Sequence, residues 1–268
     1  SDDQRKVTRY PNEELNRNQW YAGRMDGLVW GYETVGIAKT DAEMEAHLAS
    51  LPNGGQSQLG SKWAAGDIMY KDLNGDGKIS SGDGTLNDLG DLKVVANTQL
   101  RFKYGLTVDA SWKGFDFSAF FQGVGKRDVV VGGPYFWGAN GQGMWQAAAF
   151  KDHIDYFRPE DTESVFGPNV NAYYPRVIFG GGSSEGGKNT LTQSRYVQNG
   201  AYIRLKNLQL GYTLPSIITK KFAVNSLRVY VSGDNLWTGT KMRVFDPEVL
   251  GSTSDAGKAY PLARVWSV

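Results

Sequence analysis

Cysteine is absent from this chain of 268 residues, which excludes disulfide bonds, thiolate metal sites and thiol catalysis. Histidine occurs only at His47 and His153, and the two are too isolated to suggest a metal pair or a catalytic dyad. The 29 basic and 28 acidic residues nearly cancel, so charge gives no reason to expect nucleic acid as a partner. The sequence also lacks an apolar run of about 18 residues, which excludes a membrane-spanning helix. Glycine and aromatic residues are plentiful instead, as is typical of a protein of strands and loops.

One segment alternates between apolar and polar residues over an unusual length. From Leu100 to Trp112 every second residue is apolar, and the residues between them are polar or glycine. This period of two predicts a strand with one apolar and one polar face. The segment is longer than the roughly 5–6 residues of most soluble strands and sufficient for the roughly 9–11 that cross a bilayer.

A two-residue turn at Lys113-Gly114 predicts that this strand continues into a hairpin. The predicted register places apolar residues opposite one another: Trp112 with Phe115, Ala110 with Phe117, Val108 with Ala119, and Leu106 with Phe121. A long hairpin with one apolar face is typical of an outer-membrane β-barrel, with Trp112 and Phe115 in its inner aromatic girdle. A long hairpin of a soluble β-sandwich is the alternative.

Further elements are expected on both sides of the hairpin. Thr40-Asp41 predicts the start of a short helix that ends at Ser50. Apolar residues change phase between Leu205 and Leu208, which predicts a β-bulge near Lys206-Asn207. The other expected elements are an extended segment at 19–39, short strands at 66–71 and 227–231, and a last strand from about Pro261.

The lengths of the connections between strands predict on which side of a membrane each connection lies. If Lys113-Gly114 is a periplasmic turn, the long connections after Gly123 and Trp237 lie outside the cell and the connection 215–226 lies inside. Short inner turns and long outer loops are typical of bacterial barrels.

The segment from Asp72 to Asp83 matches the calcium loop of EF-hand and dockerin modules. Oxygen-bearing side chains occupy positions 1, 3, 5 and 12, and a glycine occupies position 6. The expected ligands are the side chains of Asp72, Asn74, Asp76 and Asp83 and the carbonyl of Lys78. Because no helical pattern flanks the loop, a structural Ca²⁺ is expected rather than a switch. A solvated acidic turn is the alternative.

The long segment from Asp128 to about Ser194 must be functional or have a structure of its own. Its aromatic residues could stack on sugars or anchor a partner, and a self-packed loop core is the alternative. The candidate contact residues are Tyr135, Trp137, Trp145, Tyr173 and Tyr174. Asp234, Asp246 and Glu248 could in principle supply a glycosidase carboxylate pair, although spacing in sequence does not establish their separation.

Six segments together resemble the C-terminal half of SusC/RagA-type TonB-dependent transporters of Bacteroidetes. In chain order they are GDIMYKDLNGDGKIS, YGLTVDASWKGFDFSAFFQGVGKRDV, YIRLKNLQLGYTLP, SLRVYVSGDNLW, DPEV and YPLARVWSV. The resemblance runs from about Trp30 onward.

The resemblance implies an all-β, antiparallel segment of a 22-stranded transmembrane barrel with long extracellular loops. It implies non-enzymatic, TonB-dependent import of oligosaccharides or peptides through the outer membrane, with a SusD-like surface lipoprotein as partner. Residues 1–268 are therefore expected to be the C-terminal part of a longer protein, without the plug domain, the TonB-contacting segment and the first part of the barrel. Two alternatives are a secreted, calcium-stabilised β-sandwich that binds carbohydrate and a glycoside hydrolase.

Overall fold

The structure is a computed structural model that describes residues 12–140, 149–179, 184–250 and 260–268. Within these residues the chain forms strands β1 to β11, four short helices and three 3₁₀ turns. The strands are Leu28–Tyr32, Thr34–Ile37, Ile68–Tyr70, Leu92–Asn97, Arg101–Trp112, Phe115–Lys126, Asp128–Val130, Val197–Asn199, Tyr202–Thr213, Arg228–Thr240 and Val265–Ser267. The helices α1 to α4 are Asp41–Ala49, Pro134–Trp137, Ser184–Gly187 and Ser216–Thr219, and the 3₁₀ turns are Lys151–Ile154, Ser194–Tyr196 and Lys220–Phe222.

The chain divides into two compact units. The sheet unit comprises the described residues of 100–128, 198–250 and 260–268. The loop unit comprises 12–99, 129–140, 149–179 and 184–197. None of the helices in the described ranges combines the length and the apolar character that a transmembrane helix requires.

The sheet unit is built on five antiparallel strands in the order β11-β10-β9-β6-β5. The hairpin of β5 and β6 has the predicted register, from Trp112 opposite Phe115 to Leu106 opposite Phe121. Its turn residues Lys113 and Gly114 both have positive φ, +48° and +89°. Two successive positive φ angles are the geometry of a type I′ turn, which matches the twist of the flanking strands.

The predicted bulge in β9 is confirmed. Phe120 pairs with Asn207 and Phe121 pairs with Leu205, so Lys206 has no partner in β6. The extra residue returns Ile203 and Leu205 to the side occupied by Leu208 and Leu210. Strand β10 has a matching irregularity between Asp234 and Trp237. Strand β10 extends to Thr240. The last strand, β11, was expected to begin at about Pro261 and begins four residues later, at Val265.

The loop unit contains the two-stranded sheets β1-β4 and β2-β3 and the predicted helix α1. The Thr40 hydroxyl accepts a hydrogen bond from the Glu43 backbone N–H at 3.1 Å, which caps the helix. Met44 on this helix packs against Ala38 and Met69 in a buried cluster. Of the segment expected to be extended at 19–39, the strands β1 and β2 form its second half.

A buried ion network joins distant segments of the loop unit. Asp67, with no exposed surface, accepts hydrogen bonds from the Arg176 guanidinium at 2.7 and 2.8 Å and lies 2.9 Å from the Lys188 Nζ. The Asn189 amide also donates to Asp67 at 2.8 Å. The Lys188 side chain is fully buried and its Nζ lies 4.6 Å from the centre of the Trp63 ring. A buried carboxylate with several donors is stable only while those partners remain.

Candidate functional site

The apolar side chains of the sheet unit face outward on one side of the five strands. Residues that pair directly across antiparallel strands point to the same side, so the register assigns this face. Phe102 is 75% exposed, Leu106 56% and Leu210 49%, which is the reverse of a water-soluble core. Other exposed members of the face are Val108, Trp112, Phe115, Phe117, Val229, Val231, Trp237 and Trp266. A contiguous apolar surface of this kind requires an apolar environment or a partner.

The opposite face of the same strands is polar and carries ion pairs. Arg228 lies 2.5 Å from Asp116, and the pair meets across Gly211 of the strand between them. A Cβ atom at Gly211 would come within 2.6 Å of both side chains, so glycine is required for this close approach. The Asn207 amide donates to Asp234 at 2.8 Å.

A second charged network on β9 holds the segment 246–250 in place within the sheet unit. Arg204, 2% exposed, contacts Asp246 at 2.6 Å and Glu248 at 3.3 Å, and Lys206 contacts Glu248 at 2.8 Å. Arg127 donates to the carbonyls of residues 247 and 250. A cavity of about 570 Å³, lined in part by Lys103 and Gln122, adjoins Glu248.

These contacts do not favour a glycosidase pair. Burial by itself raises the pKa of Asp246, but the hydrogen bonds from Arg204 and the backbone of Glu248, together with the charge of Arg204, outweigh burial and lower the pKa. Glu248 pairs with two cations, and Asp234 is held by Asn207. A general acid needs a raised pKa, which is the opposite of what the structure shows for Asp246.

The acidic loop brings together two of its predicted ligands and adds a third carboxylate. Oxygen atoms of Asp72, Asp76 and Asp91 all lie within 4.8 Å of one another. Both oxygens of Asp72 accept backbone N–H groups, from Gly75 at 2.6 Å and Gly77 at 2.9 Å. Asn74 donates to Asp76 at 3.2 Å, so this predicted ligand contacts a member of the group. Lys78 also belongs to the loop, and its backbone N–H donates to Asp76.

Asp83, predicted at position 12, is not in this group. Its carboxylate accepts the backbone N–H of Thr85 at 2.7 Å and is exposed. The third member is the fully buried Asp91, which accepts N–H groups from Leu73 at 2.7 Å and Ser80 at 2.7 Å. Sequence reasoning missed Asp91 because it follows the motif after a further turn, outside the twelve-residue pattern. The structure therefore groups Asp91, and not Asp83, with Asp72 and Asp76, and the set of metal ligands stays a prediction.

The pKa values of Asp91 and Asp72 are shifted in opposite directions. Burial raises the pKa of Asp91, and the charge of Asp72 adds to this effect against the hydrogen bonds from Leu73 and Ser80. Burial also acts to raise the pKa of Asp72, but the hydrogen bonds that Asp72 accepts, with those from the N–H groups of Gly77 and Gly75 the strongest, together lower it. Three carboxylates at this separation repel one another, and oxygen ligands suit a hard cation such as Ca²⁺.

Of the predicted aromatic residues that the structure describes, Trp137, Tyr173 and Tyr174 lie in a packed cluster of the loop unit, which is the self-packed loop core of the alternative interpretation. Trp137 and Tyr174 are 6% and 3% exposed. The rings of Trp137 and Tyr196 lie 4.7 Å apart, and the buried Phe136 ring lies 5.4 Å from Tyr174. Tyr173 belongs to the same cluster, Tyr135 stacks on Phe150 at 5.8 Å, and Trp145 lies outside the described residues.

A pocket of about 430 Å³ adjoins this cluster. Trp137 and Tyr174 form part of its wall together with Phe166, Ile154 and the amide residue Asn140. Trp137 and Tyr174 therefore line this pocket and also pack against other rings of the cluster. The volume is within the range of about 300–1,000 Å³ that is common for small-ligand sites.

Comparisons with known proteins identify relatives over most of the chain. It is 30% identical over 226 residues to the TonB-dependent receptor P3 of Formosa agariphila, covering 84% of this chain and 19% of that protein. It is 29% identical over 221 residues to TonB-dependent receptor P26 of the same organism, covering 81% of this chain and 19% of that protein. The chain thus spans about a fifth of the length of the curated relatives it matches. No family model matches the chain.

Solved structures share its fold. The RagAB peptide importer in its closed-closed state matches with a TM-score of 0.53 and 20% identity over 92% of this chain and 23% of that one. The RagAB peptide transporter matches with a TM-score of 0.51 and 22% identity over 85% of this chain and 21% of that one.

Proposed function

This chain belongs to the SusC/RagA-type TonB-dependent receptors, and we propose that it forms part of the wall and the outer loops of an outer-membrane nutrient importer. The observation that carries the proposal is the five-stranded sheet with one exposed apolar face and one polar, ion-paired face. Barrel strands in lipid have this alternation because one side meets acyl chains and the other faces the lumen.

The sheet must continue beyond these strands if it lies in a membrane. Among the described strands, β5 and β11 each have one neighbour, and an open edge would leave backbone groups unsatisfied in lipid. We infer that strands from the rest of the parent protein close the barrel, with 22 strands in all as the resemblance implies. The turn at Lys113-Gly114 and the connection 214–227 lie at one end of the sheet, the periplasmic end in this proposal.

The cargo and partners belong to the same proposal. Oligosaccharides and peptides are the two candidate cargoes, and the similar RagAB structures are of a peptide importer. A SusD-like lipoprotein is the expected partner at the outer mouth, and TonB is expected to act through parts of the parent protein outside this chain. The proposed function assigns no catalytic role to this chain, which agrees with its similarity to proteins named as receptors.

The experiment uses the complete parent protein in its own host. Deletion of its gene is expected to abolish growth on one class of oligosaccharide or peptide as sole nutrient, and so is deletion of TonB. The protein is expected in the outer-membrane fraction, extractable only with detergent. Recovery as a water-soluble protein, or growth that is unchanged on every such nutrient, would contradict the proposal and favour the secreted β-sandwich.

We also propose that a structural Ca²⁺ binds the acidic loop through Asp72, Asp76 and Asp91, with Asn74 and the Lys78 carbonyl as further ligands. The support is the grouping of three carboxylates and the raised pKa of buried Asp91, which a cation would lower. Ca²⁺ at about 100 times its Kd is expected to stabilise the protein by about 2.7 kcal/mol.

A matched pair of variants tests the ligand assignment. Asp76→Asn is expected to weaken Ca²⁺ binding in calorimetry, whereas Asp83→Asn is expected to leave it unchanged, since Asp83 is held by Thr85. Loss of binding in Asp83→Asn alone would restore the twelve-residue motif as the ligand set. The absence of any heat of binding for Ca²⁺ would leave the loop as a solvated acidic turn.

A further inference from the structure

The connection between β9 and β10 is long for the end of the sheet at which it lies. It runs over residues 214–227, whereas β5 and β6 are joined at the same end by only Lys113 and Gly114. The Thr213 backbone N–H donates to the Gly114 carbonyl at 2.8 Å, so the two connections are adjacent. Periplasmic connections of outer-membrane barrels are usually short turns. A longer connection at this end therefore calls for a function of its own.

The connection is folded on itself and includes α4 and the 3₁₀ turn that follows it. At its base the Leu214 backbone N–H donates to the Leu227 carbonyl at 2.9 Å. Within it the Val224 backbone N–H donates to the Thr219 carbonyl at 3.2 Å, and Thr219 is 1% exposed. The other side chains of the connection are therefore carried by a defined backbone.

The apolar side chains of this connection are exposed. Ile217 is 77% exposed and Phe222 74%. Further exposed apolar residues of the connection are Ile218, Val224 and Leu227. Apolar residues that expose this much surface within one short segment indicate an interaction site for a partner or a membrane.

The charges of the connection all have one sign. Lys220 and Lys221 are its only charged residues, and both are exposed. Neither forms an ion pair with any residue that the structure describes. Lys113 in the adjacent turn adds a third cation, with its Nζ 4.8 Å from the centre of the Trp112 ring. This end of the sheet unit therefore combines apolar side chains with unpaired positive charge at Lys220 and Lys221.

The apolar face of the sheet leads directly into the connection. Tyr212 pairs with both Phe115 and Val229, and the Phe115 and Tyr212 rings lie 4.5 Å apart. Leu214 and Leu227 are each two residues beyond such a partner, which places them on the same side of the sheet. The surface that faces lipid in the proposed function thus continues without a break to the base of the connection.

We propose that the connection 214–227 is an anchor in the phospholipid leaflet that surrounds the periplasmic end of the barrel. Ile217 and Phe222 enter the leaflet, and Lys220 and Lys221 bind the phosphate groups of anionic phospholipids. Apolar residues beside lysines are typical of segments that lie in a membrane interface. The inference rests on the proposed function, because the barrel wall is what brings lipid to this end. Continuity with the apolar face favours lipid over an acidic protein as the partner.

The depth of the connection is measured with spin labels on the complete parent protein, freed of other cysteines and reconstituted in vesicles of phosphatidylethanolamine and phosphatidylglycerol. Labels attached to Ile217→Cys and Phe222→Cys are expected to be more accessible to oxygen, which dissolves in lipid, than to a water-soluble nickel chelate. Two exposed sites keep the test valid if one variant misfolds. Val165→Cys, at a position 94% exposed in the loop unit, is the control and should show the reverse order.

The contribution of the lysines is measured with a fluorescent label on Asn225→Cys. Its quenching by nitroxide-labelled phosphatidylglycerol, relative to nitroxide-labelled phosphatidylcholine, gives the local preference for an anionic lipid. Lys220→Gln and Lys221→Gln are each expected to lower this preference about two- to fivefold. Lys126→Gln is the matched control, because it makes the same change at the opposite end of β6 and should have no effect.

A label on Leu210→Cys separates failure of the anchor from failure of the proposed function. If this label, in the apolar face, meets lipid while those at 217 and 222 meet water, the anchor is wrong and the barrel wall stands. If the label at 210 also meets water, the proposed function itself is wrong. Protection of 217 and 222 from both reagents would mean that protein covers the connection. That result, or an unchanged lipid preference in both lysine variants, would overturn the proposal.

Discussion

The sheet unit and the loop unit bury opposite kinds of residue. In the sheet unit the large apolar side chains point outward, as Phe102 and Trp112 do, while a charged residue such as Arg204 is buried. In the loop unit Phe136 and Tyr196 are buried in an aromatic cluster. The loop unit follows the rule for proteins in water, whereas the sheet unit follows the rule for a barrel wall. In the proposed function, this contrast corresponds to lipid around the sheet unit and water around the loop unit.

The two units also differ in how they place charge. The Asp67 pairs of the loop unit are buried and link segments more than a hundred residues apart in sequence. The Asp116–Arg228 pair of the sheet unit is about one third exposed on both sides. Breaking a buried ion pair costs more stability than breaking an exposed one. Substitutions in the ion pairs of the loop unit should therefore lower the free energy of unfolding more than those in the sheet unit.

The largest effect is expected at Asp67. Asp67→Asn would remove the charge that Arg176 and the buried Lys188 share, leaving Glu185 as the remaining carboxylate partner of Lys188 among the described residues, at a cost of about 3–5 kcal/mol in the free energy of unfolding. Urea unfolding of the purified protein, followed by tryptophan fluorescence, measures it. The control is Glu33→Gln, which removes partly exposed pairs with Lys71 and Lys93 and should cost about 0–1 kcal/mol. Similar losses in the two variants would refute the buried network.

A neighbouring pair of residues on β9 tests the two faces of the sheet. Leu210→Arg places a charge on the apolar face and is expected to cost about 2–4 kcal/mol in a lipid bilayer. Gln209→Arg places the same charge on the polar face and should cost much less. Unfolding of the parent protein in vesicles measures both, and equal effects would disprove the assignment of a lipid face.

The third prediction concerns pH and the loop unit. Hydrogen bonds from Ser61 and the contact with Lys188 lower the pKa of Glu185 from 4.5 to about 2. Burial acts in the opposite direction but is outweighed. Since the folded pKa is depressed, Glu185 stabilises the fold fully above pH 4.5 and loses this contribution as the pH falls to about 2. We expect Glu185→Gln to cost about 1 kcal/mol at pH 7. The difference from the unchanged protein should vanish near pH 2, and a difference that is constant with pH would contradict this account.

The smallest effect is expected at the exposed pair of the sheet unit. Asp116→Asn should lower the free energy of unfolding less than any of the other substitutions, because solvent screens the interaction with Arg228. The cost should fall further at 1 M salt, where screening acts over about 3 Å. A loss as large as that of Asp67→Asn would mean that this face is shielded from water.

The elements that could be predicted from the sequence are those that depend on residues close to one another along the chain. The register of β5 and β6 follows from alternation and a two-residue turn, and the bulge at Lys206 follows from a phase change within one strand. The cap of α1 likewise depends on Thr40 and Glu43, three residues apart. Asp91, the partners of Asp67 and the pocket at Asn140 could not be predicted in this way, because each depends on segments distant in sequence.

The amino-acid sequence by itself determined that this chain makes long two-faced strands, because alternation with period two allows one arrangement of side chains on a strand. It also determined the acidic loop, whose glycines and aspartates act within a few residues of one another. Only the tertiary structure decided that Asp91 rather than Asp83 joins Asp72 and Asp76, and that Trp137 and Tyr174 pack in a cluster beside a pocket. The physical reason is that burial and convergence of side chains depend on which distant segments come to lie together.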